Sequence, residues 1–297
     1  MSSEDPLLIT GSYDKFLKFW NINQQRCFAQ INFETPVCDI AISPNKQYAA
    51  VCGFNSMKVY NTQNQQIYAS LAPDKLDYCI SSCSFNESGS QLAGAVEDGT
   101  VQVYDTRNLQ QVAQSYHHNA LLNSICYSDN NIIIGEQTGK ILLLDQRNVQ
   151  QPLRVIQAFD YDIGVRWISC SQNKMVACDG RGIIQLYEDF ELKCSVQAHS
   201  QAVYRVRFAK NGSILASVSS DRTAKTWHVQ NSRLIKEDQT PVFEQSAFDV
   251  VVSQNGDNVI VGCDKAAKLF GRHQGLREAQ KIFSSHMGLV TSLAFQE

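Results

Sequence analysis

The strongest constraint on this chain is a short apolar pattern that recurs seven times along its 297 residues. Each copy has an apolar residue, two others, a second apolar residue, one other, and then an aromatic or aliphatic residue. The copies begin at Val37, Ile80, Leu122, Val165, Val203, Ala247 and Val290. Their spacing of roughly 42 residues is typical of propeller blades built from four strands. Seven copies at this period therefore predict seven blades.

Each copy continues with the same order of turns and strands. A turn rich in Ser, Asn, Gly and Asp leads to a short apolar strand, and a tight turn then leads to a strand that ends in an aromatic or aliphatic residue. The fullest copies are residues 214–227 and 8–20. Short strands at even spacing, with period-two alternation and no helical pattern, indicate an all-β protein. The predicted fold class is a seven-bladed WD-repeat β-propeller.

The two ends of the chain predict how the propeller is completed. The N-terminal segment enters at a second strand, residues 7–11, with no first strand before it, and the C-terminal segment 290–296 is a lone first strand. If these segments pair, they complete the first blade and leave only short outer edges. We therefore expect residues 1–297 to form a single seven-bladed domain whose first blade is closed by the N- and C-terminal strands.

Charge and composition argue against binding to nucleic acid or membranes. The formal net charge is −3, and the Lys and Arg residues are scattered without a basic run. Such a chain lacks the positive patch that phosphates and anionic lipids need. Its apolar runs are too short to cross a bilayer. The ten cysteines contain no C-x-x-C pair and mostly fall in apolar alternation, which predicts a reducing, cytoplasmic location.

Catalytic and metal-binding motifs are not found in the sequence. Nothing resembles a phosphate-binding glycine loop, a dinucleotide fingerprint or a paired-carboxylate site. The neighbouring His117 and His118 have no third ligand in reach by sequence, so we interpret them as a polar loop rather than a metal site. We expect no enzymatic activity, no cofactor, no metal and no small-molecule substrate.

Two sets of residues have the spacing of the hydrogen-bonded tetrad of WD repeats. They are His199, Ser219, Asp221 and Trp227, and His286, Ser12, Asp14 and Trp20. Such a set satisfies buried polar groups, because an indole N–H needs an acceptor and a His can link a hydroxyl to a carboxylate. The sequence leaves open whether Ser217 and Thr10 replace Ser219 and Ser12. A hydrolase triad is the alternative, but recurrence beside a Trp and the lack of a nucleophile elbow favour a structural role.

A D-x-R motif ends the third strand of two adjacent repeats, at Asp105 and Arg107 and again at Asp145 and Arg147. One interpretation is a turn that carries an exposed charge pair, which contributes little to stability. The other is a resemblance to the W-D-x-R box of substrate receptors of cullin–RING ubiquitin ligases. Short motifs often match by chance, so the turn is the favoured interpretation.

Five large aromatic residues are candidates for contact with a partner protein. They are Tyr13, Phe54, Trp167, Tyr204 and Phe248. The first two precede tight turns, and the other three lie in first strands, out of step with the apolar pattern. Large aromatic side chains outside the core often anchor partner proteins. The alternative for each of them is packing against a neighbouring loop.

Beyond the repeat itself, the sequence resembles the WD-repeat subunit shared by the TOR kinase complexes, a family also called G-protein-β-subunit-like or lethal with Sec-thirteen (LST-eight). The resemblance begins at D-P-L-L-I-T-G-S-Y-D-K-F-L-K-F-W and continues through G-F-N-S-M-K-V-Y-N, E-D-G-T-V-Q-V-Y-D-T-R, I-I-I-G-E-Q-T-G-K-I, A-H-S-Q-A-V-Y-R-V-R-F and S-H-M-G-L-V-T-S-L-A-F. It covers nearly the whole chain. Where family members usually keep Trp at third-strand ends, this chain has Tyr60, Tyr104, Leu144, Tyr187 and Phe270.

The resemblance implies a non-catalytic scaffold subunit that docks on the catalytic domain of a TOR-type kinase, stabilises it and helps to present substrates. Aligned with the family, Tyr13, Phe54 and Phe248 would face the kinase. Two other binding roles stay open. One is a substrate receptor of a cullin–RING ubiquitin ligase, which the D-x-R motifs would serve, and the other is a coat or nuclear-pore scaffold propeller of similar size.

Overall fold

The computed structural model describes residues 6–71 and 78–297. In these ranges the chain forms seven four-stranded β-sheets and one short 3-10 helix, Arg272–Gln274, with no α-helix. The predicted fold class is confirmed, and the protein is an all-β, seven-bladed WD-repeat β-propeller with one sheet per blade. No helix of the described part has the length and hydropathy needed to span a membrane.

By packing, the chain divides into two units, the first made of Met1–Pro36 with Ser169–Glu297 and the second of Val37–Ile168. The prediction that residues 1–297 form a single domain stays a prediction. The strands of the first unit are β1 Leu7–Ser12, β2 Phe16–Asn21, β3 Arg26–Asn32, β17 Lys174–Asp179, β18 Ile183–Glu188, β19 Glu191–Gln197, β20 Val203–Phe208, β21 Ile214–Ser219, β22 Ala224–Gln230, β23 Arg233–Gln239, β24 Ala247–Val252, β25 Asn258–Cys263, β26 Ala266–Gly271, β27 Lys281–Ser284 and β28 Val290–Gln296.

The second unit contains three complete sheets, each formed by four consecutive strands. Strand β16, which joins β17 to β19 in a sheet, carries the boundary between the units. The strands are β4 Val37–Ile42, β5 Tyr48–Gly53, β6 Ser56–Asn61, β7 Ile67–Leu71, β8 Ile80–Phe85, β9 Gln91–Val96, β10 Thr100–Asp105, β11 Gln114–His117, β12 Leu122–Ser128, β13 Asn131–Glu136, β14 Lys140–Asp145, β15 Asn148–Gln157 and β16 Val165–Ser171.

The two ends of the chain share one sheet, as the sequence predicts. Its strand order is β28-β1-β2-β3, so β1 lies between β28 and β2. The antiparallel pairing of β1 with β28 runs from Leu7 opposite Gln296 to Ser12 opposite Val290, with an irregularity after Gly11. Both edges of β1 are therefore hydrogen-bonded, and the first blade is closed by the N- and C-terminal strands.

Burial is greatest in the second strand of a sheet and lowest in the fourth. All six residues of β1 are buried, and so are five of the six residues of β9. By contrast, Leu71 is the one buried residue of β7, and β19 has none. The apolar residues of the repeat thus fill the core, while the fourth strands form exposed edges.

The core of each unit consists of separate apolar clusters that join neighbouring sheets. In the second unit, one cluster combines residues of β9 and β10 with residues of β12, β13 and β14, and another combines β5 and β6 with β8 and β9. In the first unit, one cluster joins β21 to β24, β25 and β26, and another joins β1 and β2 to β24, β25 and β28. Consecutive sheets are therefore held together mainly by apolar burial.

Polar side chains on the first strands add a directional contact between neighbouring sheets. In the second unit, Asp39 Oδ2 accepts the backbone N–H of Cys83 at 3.1 Å. One sheet further on, Ser82 Oγ accepts the N–H of Ile125 at 3.3 Å. Each bond links equivalent positions of successive first strands, so it specifies their relative register.

The first unit repeats this contact with a buried ion pair added. Asp249 Oδ2 accepts the N–H of Leu293 at 2.7 Å and lies 2.8 Å from the Arg205 guanidinium. The Arg207 guanidinium approaches Oδ1 at 3.4 Å. The Asp249 side chain is fully buried, and a buried carboxylate is tolerated only with partners of this kind.

Candidate partner-binding site

The first predicted tetrad forms within the sheet β20 to β23. His199 Nδ1 lies 2.8 Å from Asp221 Oδ2, and because a carboxylate only accepts, this nitrogen donates. His199 Nε2 is then the acceptor for the Ser217 hydroxyl at 2.8 Å. The indole N–H of Trp227 donates to the same hydroxyl oxygen at 2.9 Å. One chain of hydrogen bonds thus runs from Trp227 to Asp221.

The second tetrad has the same geometry and uses residues from both ends of the chain. His286 Nδ1 donates to Asp14 Oδ2 at 2.9 Å, and its Nε2 accepts from the Thr10 hydroxyl at 2.7 Å. Trp20 Nε1 donates to Thr10 Oγ1 at 3.0 Å. This set joins the turn after β1 to the loop before β28.

In both sets the hydroxyl member differs from the one in the predicted list. Ser217 and Thr10 take the places given to Ser219 and Ser12. Ser219 Oγ instead accepts the N–H of Asp221 at 3.0 Å, and Ser12 Oγ accepts the N–H of Asp14 at 3.1 Å. These two serines therefore hold the tight turn that presents the aspartate, and the residue two positions earlier reaches the histidine and the tryptophan.

Ser217, His199 and Asp221 have the connectivity of a hydrolase triad, but their surroundings rule out that role for this set. Ser217 and its neighbours on the strand are fully buried, and His199 is 2 % exposed. The Ser217 oxygen is also engaged by the Trp227 indole. A nucleophile must be open to its substrate, so these hydrogen bonds serve the fold.

Burial decides the protonation of the tetrads. It lowers the pKa of His199 to about 4, against the opposing attraction of Asp221, and it also lowers the pKa of His286. For Asp14, burial raises the pKa, but hydrogen bonds from Met287, Phe16 and His286 outweigh it and leave the pKa below its ordinary value. Neutral imidazole and ionised carboxylate are therefore the states at neutral pH.

A third polar set is centred on Glu136, in the second unit. Its carboxylate is fully buried and lies 2.8 Å from His118 Nε2. The hydroxyl of Thr138 donates to the other carboxylate oxygen, and Lys140 Nζ is 3.9 Å away. His118 directly follows β11 and is a polar contact of this carboxylate, whereas His117 is the last residue of β11. Glu136 is the last residue of β13, as Ser219 is the last residue of β21. Its longer side chain reaches His118 directly.

The five aromatic candidates differ in their exposure. Tyr13 is 64 % exposed and Phe54 is 48 % exposed. Tyr204 and Phe248 are half-buried and stack on each other, with ring centroids 5.0 Å apart. Trp167 is only 6 % exposed, so its assignment as a partner-binding residue is wrong.

The register of the first strands explains the error at Trp167. In β20 and β24, Tyr204 and Phe248 are the second residues, whereas Trp167 is the third residue of β16. A shift of one residue turns a strand side chain to the opposite side. Trp167 therefore takes the buried position of Arg205, and Arg166 takes the exposed one.

Two further exposed apolar residues lie in loops that the sequence analysis did not select. Met287 is 83 % exposed, and Tyr78 is 48 % exposed. Met287 lies beside Tyr13, because the N–H of Tyr13 donates to Leu289 O at 2.9 Å. We call Tyr13 and Met287 the first-blade patch. Neither loop residue belongs to the repeat pattern, and exposure is the signal that identifies them.

The D-x-R motifs form the exposed charge pairs of the simpler interpretation. Arg107 donates to both oxygens of Asp105, at 3.0 and 2.6 Å, and Arg147 does the same with Asp145, at 3.0 and 2.7 Å. The guanidinium hydrogen bonds hold the pKa of each aspartate at about 2. Both arginine side chains are largely exposed. Use of these motifs by a ligase stays a prediction.

Two models of WD-repeat families match the chain. The model described as WD domain, G-beta repeat matches residues 1–21 and 190–228. The model described as Anaphase-promoting complex subunit 4 WD40 domain matches residues 36–130. The first includes much of both tetrads, and the second covers residues in the second unit, so the repeat extends through both.

Curated proteins of several kingdoms are similar to the chain over most of its length. Target of rapamycin complex subunit LST8 of Mus musculus is 24% identical over 255 residues, which are 80% of this chain and 77% of that protein. Target of rapamycin complex subunit LST8-1 of Arabidopsis thaliana is 23% identical over 80% of this chain and 81% of its own length. Protein LST8 homolog of Drosophila melanogaster is 23% identical over 74% and 75%. The resemblance drawn from the sequence is thereby confirmed: the chain is a WD-repeat β-propeller that is similar to LST8 proteins over most of its length.

Proposed function

We propose that the protein is a non-catalytic scaffold subunit of a TOR complex, which docks on the catalytic domain of the kinase, steadies it and helps to present substrates. The names of its relatives as target of rapamycin complex subunits support the assembly. The observation that carries the docking role is the first-blade patch, in which exposed side chains lie on a backbone fixed by a buried tetrad. In this proposal the kinase carries out the catalysis, and the complex acts in the cytoplasm.

The first-blade patch is rigid because one carboxylate binds the backbone on both of its sides. Asp14 Oδ2 accepts the N–H of Met287 at 2.8 Å, and Asp14 Oδ1 accepts the N–H of Phe16 at 3.0 Å. The backbone at Tyr13 and Met287 therefore needs little further ordering on binding. A preordered backbone loses less conformational entropy in a complex, which favours affinity.

The same proposal includes the predicted single domain and the other aromatic candidates for partner contact. Residues 1–297 act as one seven-bladed platform. Phe54 contributes a second exposed contact in the second unit, where the N–H of Asn55 donates to Tyr78 O at 3.2 Å and brings a second exposed aromatic beside it. Tyr204 and Phe248, stacked and half-buried, contribute less because part of their surface already lies against each other.

Affinity purification of the tagged full chain from its own cells, followed by mass spectrometry, tests the proposal. We expect a large phosphatidylinositol-kinase-related kinase among the recovered proteins. The double variant Tyr13→Ala/Met287→Ala should recover at least about tenfold less of it, as expected when a central contact is truncated. The matched control is Tyr161→Ala, which removes an aromatic that is 68 % exposed in the second unit.

Other recovered partners would contradict the proposal in distinct ways. Cullin adaptors without the kinase would favour the ligase receptor, and their loss in Arg107→Ala or Arg147→Ala would assign the contact to a D-x-R motif. Coat or nuclear-pore subunits without the kinase would favour the structural scaffold. Equal recovery of the kinase by the double variant and by the wild-type chain would show that the first-blade patch is not part of the interface.

A further inference from the structure

Two cysteine sulfurs in the second unit lie unusually close together. Cys38 Sγ and Cys79 Sγ are 3.1 Å apart, although the residues are 41 positions apart in sequence. Both are free thiols and both are half-buried. A covalent S–S bond is about 2.05 Å long, so the sulfurs need to approach by only about 1 Å to form one.

The backbone holds the two cysteines in this position. Cys38 is the second residue of β4, and Cys79 directly precedes β8. Cys79 forms an isolated β-bridge with Phe54, and its carbonyl accepts the N–H of Glu97 at 2.9 Å. The first strands β4 and β8 are also tied by Asp39 Oδ2, which accepts the N–H of Cys83. The pair is therefore preorganised by contacts on several sides.

We propose that Cys38 and Cys79 form an oxidisable dithiol, a modification site at which a disulfide oxidant such as oxidised glutathione produces an internal disulfide. The thiolate of one cysteine attacks a glutathione sulfur, forms a mixed disulfide and releases one glutathione thiolate. The second cysteine, as its thiolate, attacks the protein sulfur of the mixed disulfide and releases the second glutathione. Two protons leave the protein thiols, and the two electrons reduce the glutathione disulfide to two thiols.

Partial exposure separates this pair from the cysteines deeper in the same unit. Cys52 and Cys83 are buried, and their Sγ atoms donate to backbone carbonyls, those of Asp39 and Ala50. An oxidant must reach a sulfur before it can react. The hydrogen bond with Cys38, together with burial, raises the pKa of Cys79. Thiolate is therefore scarce at neutral pH, and attack by this thiol is slow.

Oxidation of the folded full chain with oxidised glutathione tests the proposal. After unfolding, two of the ten cysteines should no longer titrate as free thiols. The intact mass should fall by two hydrogens. Peptide mapping without reduction should recover Cys38 joined to Cys79. Backbone amides of Asn55 and Glu97 should exchange more slowly in the oxidised protein, because their acceptors, the carbonyls of Tyr78 and Cys79, become tethered.

Single variants supply the control. Cys38→Ser and Cys79→Ser should each abolish the loss of two hydrogens, whereas Cys194→Ser, at a half-buried cysteine of β19, should not. Phenylarsine oxide, which condenses with two neighbouring thiols and releases one water, should bind the wild-type chain and the Cys194→Ser variant but neither of the other two. Glutathione left bound to Cys38 or Cys79 without an internal disulfide would overturn the proposal, and so would a disulfide between any other pair.

Discussion

Asp14 Oδ2 accepts a hydrogen bond from the backbone N–H of Met287 at 2.8 Å, although the two residues are 273 positions apart. The same carboxylate accepts from His286 Nδ1. One side chain therefore joins the turn after β1 to the loop before β28, alongside the β1–β28 pairing. The tetrad of the first blade thus closes the fold and also positions Tyr13 and Met287 at the surface.

Asp14→Ala should reduce the free energy of unfolding by about 2–3 kcal/mol, because it leaves the His286 ring nitrogen and the Met287 N–H without their charged acceptor. Thermal unfolding followed by circular dichroism measures this loss. The matched control is Asp105→Ala, which removes an exposed turn aspartate with its own ion pair and should cost much less. Equal losses in the two variants would contradict the structural role of Asp14.

Ser217→Ala should destabilise the protein by about 1–3 kcal/mol, since the buried Trp227 N–H and His199 Nε2 both lose their partner. Ser219→Ala should cost about 1 kcal/mol, because it removes a turn hydrogen bond to the N–H of Asp221 and a longer one to the carbonyl of Gln201. Chemical denaturation of the two variants side by side makes the comparison. A larger loss in Ser219→Ala would restore the assignment that the structure corrects.

The repeat spacing alone was enough to predict the sheets, the pairing of the two chain ends, and the histidine, aspartate and tryptophan of each tetrad. It could not choose between Ser217 and Ser219. Side chains two residues apart on a strand point the same way, and only the distance to His199 distinguishes them. The prediction for Trp167 was wrong for the opposite reason, because a register error of one residue reverses the side on which a side chain lies.

Three features that depend on contacts outside the repeat pattern were not predicted from the sequence. Glu136 occupies the position of Ser219 rather than that of the tetrad hydroxyl Ser217, and its longer side chain reaches His118, so a search for the tetrad pattern overlooks it. Cys38 and Cys79 belong to different repeats, and nothing in their local patterns indicates a distance of 3.1 Å. Met287 lies in a loop outside the repeat, where only the fold determines exposure.

Arg205→Met should destabilise the protein by up to about 3–5 kcal/mol, the usual cost of removing the partner of a buried charge, with Arg207 at 3.4 Å from the same carboxylate offsetting part of the loss. The charge at issue is Asp249, whose side chain is fully buried and lies 2.8 Å from Arg205. A double-mutant cycle with Asp249→Asn measures the coupling by urea denaturation. The double variant should lose less than the sum of the single variants, and strict additivity would show that the two charges are not coupled.

Gly182→Ala should disturb the tetrad of His199 through the backbone. An added Cβ would lie 2.2 Å from the carbonyl oxygen of His199, and the φ of Gly182 is +94°. The loss should exceed that of Gly275→Ala, whose φ of +81° carries a similar backbone cost but whose nearest neighbour is a side-chain oxygen of Asp238 at 3.3 Å. Comparison of the two melting temperatures separates the clash from the strain of positive φ.

Stability should fall as the pH decreases from about 6.5 to about 4, because His199 has a folded pKa of about 4 against a reference value of 6.5. In that window the unfolded chain binds a proton at this residue and the folded chain does not, so protonation favours unfolding. The gap between the two values corresponds to about 3 kcal/mol. Below this window Asp221 continues the trend, since its folded pKa is also lowered and the stability it contributes is lost as it becomes protonated.

His199→Gln should have lower stability at pH 7 but a flatter dependence on pH between about 4 and 6.5, because it removes the titrating group. Urea denaturation at a series of pH values measures both quantities. His273→Gln is the matched control, because the His273 side chain is 67 % exposed and its loss should leave the slope unchanged. A slope in His199→Gln as steep as in the wild-type chain would mean that His199 is not neutral in the folded protein, and the hydrogen-bond directions assigned to its tetrad would then be reversed at Nε2.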